Sequence, residues 1–404
     1  MSTLKVDTLK NGSSGAIDFP QNLKIGGNSI LQGYTSSATE PSSPATGDFW
    51  WDSSNEKLYR YINGEFKEIT IGSSAPVWGG LKGFTTGGGA YTNAAGGGSA
   101  QGPSNGYMQQ IDHWTINDNT QATDFGDLNM TQPNYTYGAS NNTRGVIASG
   151  YQGSGTAANQ IDYITCATTG NASDFGDQSV ERTCSMGAVG NGTRGIFGNG
   201  YSFGQSGYVN TIDYVTIATT GNATDFGDML GGQSGNTGNL KSGAYSNDET
   251  TGLFMGGHTQ SPYTYQNRIQ KITMATTGNA VDSGGDLTGV NAYMIKGVIS
   301  DNTTGLVGGG YNGSATLQNI DRFTIATGAN ATDHGDLPTA VNDGAAVSNG
   351  TYGEFVGSNL GQGTDSGPNL DGRRYVVTIA TAGNATSMGY LAIRWYSTAG
   401  FSGA

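Results

Sequence analysis

One short segment recurs six times along the chain, and its best-preserved copy, residues 212–228, reads IDYVTIATTGNATDFGD. Successive copies are 50, 51, 57, 51 and 54 residues apart when each is measured on the threonine that all six share. These threonines are Thr115, Thr165, Thr216, Thr273, Thr324 and Thr378. Self-similarity at a fixed period of this size indicates a propeller or another array in which each repeat stacks on its neighbours.

Each repeat contains four segments with the pattern of short β-strands, which we call positions A, B, C and D. In the third repeat they are residues 187–191, 195–201, 212–217 and 223–228. The A–B and C–D turns are rich in Gly and Asn, which reach positive φ angles with little strain. Four antiparallel strands in about 50 residues are typical of one propeller blade. The sequence therefore predicts an all-β fold containing a six-bladed β-propeller.

The first and last repeats are incomplete in complementary ways. The first begins directly at position B, residues 83–91, without a clear strand pattern before it. The last is followed by a spare strand pattern over residues 391–401. In the simplest arrangement, this C-terminal strand supplies position A of the first blade. That completes six blades and leaves no open edge between the first and the last.

Two smaller regions precede the repeats. Residues 1–35 alternate only weakly and contain too few apolar residues for a core of their own. Residues 34–46 are rich in Ser, Thr and Pro, which predicts an extended linker, and residues 47–69 have the pattern of a compact β-meander. We therefore expect an attachment or oligomerisation segment at 1–35, a linker with a small meander at 36–75, and the propeller at 76–404.

Composition argues against several classes of partner. Charged residues make up 12% of the chain, against roughly 25% in average proteins. Glycine accounts for 69 of the 404 residues, well above its average share of roughly 7%. The net charge of −13 argues against nucleic acid and against anionic membrane surfaces. The N-terminus lacks the apolar run of a secretion signal, and no window is apolar enough for a membrane span. Cys166 and Cys184 accompany no metal-binding spacing and are interpreted as small apolar residues.

The connections between strands differ between the two faces of the predicted disc. The A–B and C–D turns, on one face, are short and repetitive, whereas the B–C connections on the other face all differ. The B–C connections are rich in Gly, Ser, Asn, Gln and Tyr, a composition suited to adaptable polar contacts around aromatic platforms. Alternatively, these loops vary because nothing constrains them. The candidate receptor-binding residues on this face are Tyr107, Tyr208, Tyr263, Tyr265 and Asn359.

Repeated aspartates raise the possibility of metal binding or catalysis. The Asp-x-Gly-Asp pattern, as in Asp225 and Asp228, supplies two carboxylates per repeat, fewer than the three or more ligands of a Ca²⁺ loop. We expect Asx-type turns there instead. A second set of aspartates directly follows the first isoleucine of the repeat. We expect these residues to bind backbone amides rather than to act as bases: Asp112, Asp162, Asp213 and Asp321.

Catalytic motifs are not found. The histidines His113, His258 and His334 occupy non-equivalent positions, and no hydrolase, metalloprotease or nucleotide-binding motif occurs in a suitable context. The sequence therefore predicts a non-enzymatic protein without catalytic residues, metal or cofactor. A glycosidase-type pair of carboxylates converging across the axis stays open, although nothing singles out such a pair.

Two parts of the chain resemble known phage proteins. MSTLKVDTLKNGSSGAIDFPQNLKIGGNSILQGYTSS, followed by GDFWWDSSNEKLYRYINGEFKEI, is similar to the N-terminal region of tail-fibre and tail-fibre-like proteins of marine bacteriophages, cyanophages in particular. The repeats resemble the kelch-like arrays that such proteins carry downstream. The resemblance implies a virion protein of the phage tail, synthesised in the host cytoplasm. Its N-terminal region would contact other tail proteins or form a homotrimer, and its propeller would face outward.

Three hypotheses for function follow. The first is a non-catalytic tail-fibre or receptor-binding protein whose propeller recognises a host-surface glycan or protein, without membrane insertion. The second is a structural adaptor or decoration protein of the tail, collar or capsid that makes only protein contacts. The third is a polysaccharide depolymerase.

Overall fold

The computed structural model describes residues 24–25, 28–29, 34–52, 54, 57–62, 64–69, 80–90, 106–131, 133–148, 150–151, 157–183, 187–231, 243–246, 250–259, 264–289, 298–342, 344–359, 370–392 and 399–403. Across these residues the chain is all-β, with 36 strands and no helix. It divides into two compact units, Met1–Ser74 and Ala75–Ala404. The predicted fold class is confirmed at the level of an all-β protein built from many antiparallel four-stranded sheets.

The described residues of the first unit form six strands. They are β1 (Lys24–Ile25), β2 (Asn28–Ser29), β3 (Tyr34–Ser37), β4 (Phe49–Asp52), β5 (Lys57–Ile62) and β6 (Glu65–Ile69). β1 pairs with β2, and the other four form one sheet in the order β3-β4-β5-β6. The meander predicted over residues 47–69 is confirmed, because β4, β5 and β6 pair antiparallel in succession.

The linker predicted over residues 34–46 is wrong at its start. Tyr34–Ser37 forms β3, which pairs in parallel with β4. The indole Nε1 of Trp50 donates a hydrogen bond of 3.1 Å to the carbonyl oxygen of Ser37. Trp50 is buried and stacks on Tyr59, with ring centroids 4.9 Å apart. The buried indole therefore binds the first residues of the linker to the sheet.

The second unit contains six four-stranded antiparallel sheets, one for each repeat, which we call sheets 1 to 6. The strands of each sheet lie in the order A-B-C-D. Sheets 1 to 3 consist of β36 (Ala399–Gly403), β7 (Lys82–Thr86), β10 (Gln110–Thr115) and β11 (Thr123–Asp127); β12 (Tyr137–Ser140), β13 (Arg144–Ala148), β14 (Ala158–Thr165) and β15 (Ser173–Arg182); and β16 (Gly187–Gly190), β17 (Arg194–Gly198), β20 (Thr211–Thr216) and β21 (Thr224–Asp228). Sheets 4 to 6 consist of β22 (Gly243–Ser246), β23 (Thr251–Met255), β26 (Arg268–Thr273) and β27 (Val281–Asp286); β28 (Val298–Ser300), β29 (Thr304–Gly308), β30 (Asn319–Thr324) and β31 (Thr332–Asp336); and β32 (Ala345–Ser348), β33 (Tyr352–Asn359), β34 (Leu370–Thr378) and β35 (Thr386–Tyr390).

In the third repeat, three of the four predicted strands agree with the structure within one residue. Position B is the exception: the sequence predicts residues 195–201, whereas β17 ends at Gly198. Asn199 and Gly200 have φ angles of 63° and 130°, outside the range of an extended strand. These two residues turn the chain out of the sheet, and the residues that follow begin a separate hairpin.

The C-terminal strand completes sheet 1, as the sequence predicts. β36 pairs antiparallel with β7, with Phe401 opposite Phe84, although it begins at Ala399 instead of residue 391. The two phenyl rings stack with their centroids 5.2 Å apart. A Cβ atom at Gly145 of sheet 2 would collide with the ring of Phe401. The glycine therefore leaves the space that the C-terminal phenylalanine fills.

Successive sheets share their apolar cores. One cluster of buried residues lies between each neighbouring pair of sheets, and the pair formed by sheets 6 and 1 has one as well. The cluster between sheets 6 and 1 includes Trp114, Val356 and Leu391. The A strands contact one another in the cyclic order β12, β16, β22, β28, β32, β36 and back to β12. Full burial of one large apolar side chain contributes about 1.5–3 kcal/mol, so these clusters stabilise the packing of each sheet on the next.

The two most regular motifs of the repeat bind each other across neighbouring sheets. In sheets 1 and 2, the backbone NH groups of Gly170 and Ala172 donate to the carbonyl oxygens of Phe125 and Asp127, both at 2.8 Å. The side-chain oxygen of Asn171 accepts from the backbone NH of Asp127 at 3.0 Å. The Gly-Asn-Ala turn of one repeat thus binds the Asp-x-Gly-Asp strand of the repeat before it, and we call this set of hydrogen bonds the clasp. Equivalent asparagine bonds occur at every other junction, including that between sheets 6 and 1.

Candidate functional site

The B–C connections carry ordered hairpins beyond the main sheets. Three are two-stranded: β8 (Gly89–Ala90) with β9 (Gly106–Tyr107), β18 (Tyr201–Ser202) with β19 (Gly207–Tyr208), and β24 (His258–Thr259) with β25 (Thr264–Tyr265). Bridges between Tyr151 and Ala157 and between Tyr311 and Thr316 occupy the same place in sheets 2 and 5. In sheet 6, β33 and β34 themselves continue to the pair of Asn359 and Leu370. In every repeat, the described residues at the start and end of the B–C connection therefore pair with each other.

The hairpin of sheet 3 divides its side chains between two faces. Ser202 is fully buried, and its hydroxyl donates to a carboxylate oxygen of Glu181 at 2.8 Å. The backbone NH of Gly204 donates to the same oxygen at 2.6 Å. Because side chains alternate along a strand, Tyr201 points to the other face, where it lies opposite Tyr208. Both tyrosines are half-buried.

Four aromatic rings meet on the outer face of this hairpin, and we call them the Phe203 cluster. Tyr201 makes edge contacts with Tyr208 and Phe203, at centroid distances of 4.9 and 5.1 Å. Tyr151 of sheet 2 lies 6.2 Å from Phe203. Phe203, in the turn of the hairpin, is 38% exposed. The cluster therefore spans two repeats and presents one phenyl ring to solvent.

A buried ion pair lies in the segment that carries this hairpin. Arg182 and Asp213 are both fully buried, with 2.6 Å between Nη2 and Oδ2. Burial lowers the pKa of Arg182, and the charge of Asp213 opposes that shift. The next residue, Thr183, exchanges two backbone hydrogen bonds with Tyr201, at 2.9 and 2.7 Å. The ion pair thus fixes the backbone on which the first aromatic strand of the hairpin rests.

A smaller aromatic pair occurs between sheets 4 and 5. Tyr265, at the end of β25, makes an edge contact with Tyr311 at 6.3 Å. A Cβ atom at Gly313 would collide with the ring of Tyr265, so the glycine lets the tyrosine lie over the 311–316 turn. Aromatic contacts thus recur between repeats on the same end of the sheets.

The structure places the predicted recognition residues at separate points. Tyr208 belongs to the Phe203 cluster, and Tyr265 belongs to the pair with Tyr311. Tyr107 ends β9 and Asn359 ends β33, and the side chains of both lie outside the described residues. Tyr263 also lies outside the described residues. Ring contacts join Tyr208 and Tyr265 to different partners, so these two tyrosines belong to different clusters.

Sequence reasoning missed the aromatic residues that open the B–C connections. Tyr151, Tyr201 and Tyr311 each follow directly after a glycine at the end of position B. This equivalence is visible once the repeats are aligned. Phe203 has no such equivalent, because only this repeat places a phenylalanine two residues after the tyrosine.

The repeated aspartates have structural roles in the described residues. The first aspartate of Asp-x-Gly-Asp accepts a hydrogen bond from the backbone NH two residues later in sheets 1, 2, 3 and 5, as predicted for Asx turns, and Asp282 of sheet 4 does the same. Asp162 is fully buried and accepts from the backbone NH groups of Asn129 and Met130 at 2.7 and 2.9 Å. Burial raises the pKa of Asp162, and these hydrogen bonds oppose the shift. Equivalent amide bonds are made by Asp112, Asp213 and Asp321. The prediction that these residues bind amides is confirmed.

Cys166 and His334 are buried, whereas His113 is half-buried. Burial raises the pKa of the Cys166 thiol to about 12, so the thiolate is scarcely populated. His334 is buried, and burial lowers the pKa of both His334 and His113. Within the described ranges, no group of three or more His, Cys, Asp or Glu residues is placed to hold a metal ion.

Comparison of the chain with protein-family models gives no match, and comparison with curated proteins gives no significant match. A search of the described part of the chain finds no helix long and apolar enough to cross a membrane.

Proposed function

We propose that residues 75–404 form a closed six-bladed β-propeller. The six A strands contact in a cycle, and an apolar cluster lies at each of the six junctions, which is what closure requires. The test is a circular permutant in which residues 399–404 are moved to precede residue 80. A closed disc predicts that the permutant folds with nearly the parental melting temperature. An unfolded or aggregated permutant would contradict closure.

We propose that the protein is a non-catalytic receptor-binding protein of a phage tail, which recognises the host surface through its B–C end. The observation that carries this proposal is the contrast between the two ends of the sheets. The B–C end presents aromatic side chains on braced hairpins, such as Phe203 and Tyr201. Rigid aromatic residues on an ordered scaffold are the side chains that binding surfaces use most.

Side chains in the turns at the other end bind the protein's own backbone. Asn141 accepts from the backbone NH groups of Thr143 and Arg144, and the A–B turns of sheets 3, 5 and 6 repeat this bond pair. The guanidinium of Arg144 lies 4.4 Å from the ring centroid of Tyr163 and donates to the carbonyl oxygen of Ile217 in the next repeat. These polar groups are therefore already engaged, which supports recognition at the B–C end.

The N-terminal unit has a different role in this proposal. Residues 1–35 attach the protein to other tail proteins and are expected to form its homotrimer, while the propeller binds the host. The test compares the full chain with residues 75–404 on a panel of marine cyanobacterial strains, using fluorescent labels and flow cytometry. Both are expected to bind the same strains, whereas only the full chain enters virions. Absence of binding to every strain, with normal entry into virions, would contradict the proposal.

One observation favours the adaptor as a second candidate. Position D carries two aspartates in each of sheets 1 to 5: Asp124, Asp127, Asp174, Asp177, Asp225, Asp228, Asp282, Asp286, Asp333 and Asp336. In sheet 6 this strand reads TSMGY, without a carboxylate, and Tyr390 is 53% exposed. An uncharged outer strand suits a protein contact. The depolymerase stays a lesser alternative.

A further inference from the structure

We propose that the Phe203 cluster is a binding platform for an uncharged saccharide. This inference rests on the proposed host-surface function and gives it a ligand class and a place in the fold. The cluster consists of Tyr151, Tyr201, Phe203 and Tyr208.

The ring of Phe203 packs against Tyr201 and Tyr151 but is not fully covered by them. Phe203 lies in a turn and is 38% exposed, although burial of a phenyl ring is favourable. The two residues that follow Gly204, namely Gln205 and Ser206, are exposed as well. An aromatic face with amide and hydroxyl groups beside it matches a sugar ring, which offers a C–H face for stacking and hydroxyl groups at its edge.

The platform is held in place before any ligand arrives. The carboxylate of Glu181 binds the hydroxyl of Ser202 and the backbone NH of Gly204, on either side of Phe203. Ser206 has a φ angle of 52°, which closes the turn tightly. Binding to a rigid hairpin loses little conformational entropy, so a small contact area can still give measurable affinity.

The charge of the site excludes an anionic ligand. Residues 199–210 contain no Lys or Arg, and the neighbouring Arg182 is fully buried and paired with Asp213, while the carboxylate of Glu181 lies within the hairpin. The whole chain carries a net charge of −13. Phosphorylated, sulfated or carboxylated sugars would therefore meet repulsion without a cation to pair with. An uncharged saccharide meets no such penalty.

The size of the platform favours a sugar over a protein. A stable protein interface needs about 800 Å² from each partner, whereas this cluster is one hairpin turn with four rings. Single sugar contacts are weak, but repeated copies on a surface strengthen them through avidity. A platform of one or two sugar units is sufficient when many copies engage one cell.

The test measures binding of the full chain to an immobilised array of uncharged glucans, mannans and galactans. Three variants accompany it: Phe203→Ser, the conservative Phe203→Tyr, and the control Tyr390→Ser, which removes an exposed aromatic ring elsewhere. We expect the wild type, Phe203→Tyr and Tyr390→Ser to bind at least one array sugar, and Phe203→Ser to bind it at least tenfold more weakly. The melting temperature of Tyr390→Ser should stay unchanged, and that of Phe203→Ser should fall only slightly, because the lost ring lies in a turn and is partly exposed.

Failure of this inference is distinguishable from failure of the host-binding proposal. If the wild type binds cells but no array sugar, or if Phe203→Ser binds the sugar normally, the inference is wrong and host binding stands. Loss of cell binding after protease treatment of the cells would indicate a protein ligand and would also overturn the inference. If the wild type binds a sugar through Phe203 but binds no cells, the platform stands and the host-binding proposal falls.

Discussion

The carboxylate of Glu354 and the guanidinium of Arg374 form a fully buried ion pair, with 3.0 Å between Oε2 and Nη1. Both residues belong to sheet 6, but the pair also binds sheet 1. Glu354 accepts from the indole Nε1 of Trp114 and from the backbone NH of Asn117, both at 2.7 Å. Arg374 donates to carbonyl oxygens in the C–D turn of sheet 1. The last and first repeats are therefore joined by charge-assisted hydrogen bonds as well as by the strand β36.

We predict that Glu354→Ala destabilises the protein by about 3–5 kcal/mol, because it leaves the buried guanidinium of Arg374 without its counter-ion. Urea denaturation followed by tryptophan fluorescence measures the change. The double variant Glu354→Leu with Arg374→Met is the matched control. It should lose less stability than Glu354→Ala, since no charge stays buried. A loss below about 1 kcal/mol in the single variant would show that the pair does not hold this junction.

The C-terminal strand gives a second prediction. Removal of residues 399–404 should lower the melting temperature and cause aggregation, because sheet 1 loses its A strand and Phe84 loses its stacking partner. Phe401→Ala keeps the strand and should cost about 3–5 kcal/mol through the cavity it leaves. Differential scanning calorimetry and size-exclusion chromatography measure both effects. A truncated chain that melts like the parent would contradict the pairing.

The hydrogen bonds between the Gly-Asn-Ala turn of one repeat and position D of the repeat before it predict that alanine substitution costs different amounts of stability at two neighbouring glycines. Gly227 has a φ angle of 144°, and a Cβ atom there would collide with the carbonyl oxygen of Gly278. A Cβ atom at Gly278 would have no neighbour within 4 Å. Gly227→Ala should therefore cost about 2–4 kcal/mol, while Gly278→Ala changes stability by less than about 1 kcal/mol. Equal losses in chemical denaturation would rule out the clasp.

Stability should depend on pH through His334. This buried histidine occupies the place of Phe125, Phe175 and Phe226 in other repeats. Its pKa is lowered by burial, and the positive charge of Arg322 acts in the same direction. As the pH falls, the histidine of the unfolded chain therefore takes up a proton before that of the folded chain. The contribution of His334 to folding stability is present above pH about 6.5 and decreases as the pH falls below that value.

We predict that His334→Phe removes part of the stability loss between pH about 7 and 5. The converse variant, Phe226→His, should introduce a similar loss, because it places an imidazole in the equivalent buried position of sheet 3. Melting temperatures across this pH range measure both. Identical pH profiles for the wild type and His334→Phe would contradict the argument.

The repeat made the strands within each sheet predictable, because its turns and apolar positions are local signals. The positive φ angles of Asn142, Gly192 and Asn302 in the A–B turns follow from the same residues. The closing strand could also be inferred, since one repeat lacks a strand and the chain ends with a spare one. The predicted end of position B was wrong because an asparagine can also lie within a strand. The left-handed conformation of Asn199 is set by the hairpin that follows.

Contacts between repeats could not be predicted from the sequence. The bond between Asn171 and the backbone of Asp127 joins residues of two different repeats, and only their stacking brings them together. Glu354 and Arg374 have no counterparts in other repeats, so no periodic signal marks them. The Phe203 cluster was missed for the same reason, because Tyr151 contributes to it from another repeat.

We propose above that the B–C end binds the host surface. The most direct test adds purified full-length protein to host cells and then measures the adsorption rate of the phage that carries it. Adsorption is expected to fall with increasing wild-type protein and with Tyr390→Ser, but much less with Phe203→Ser. If adsorption stays unchanged at saturating wild-type protein, the B–C end does not bind the host surface.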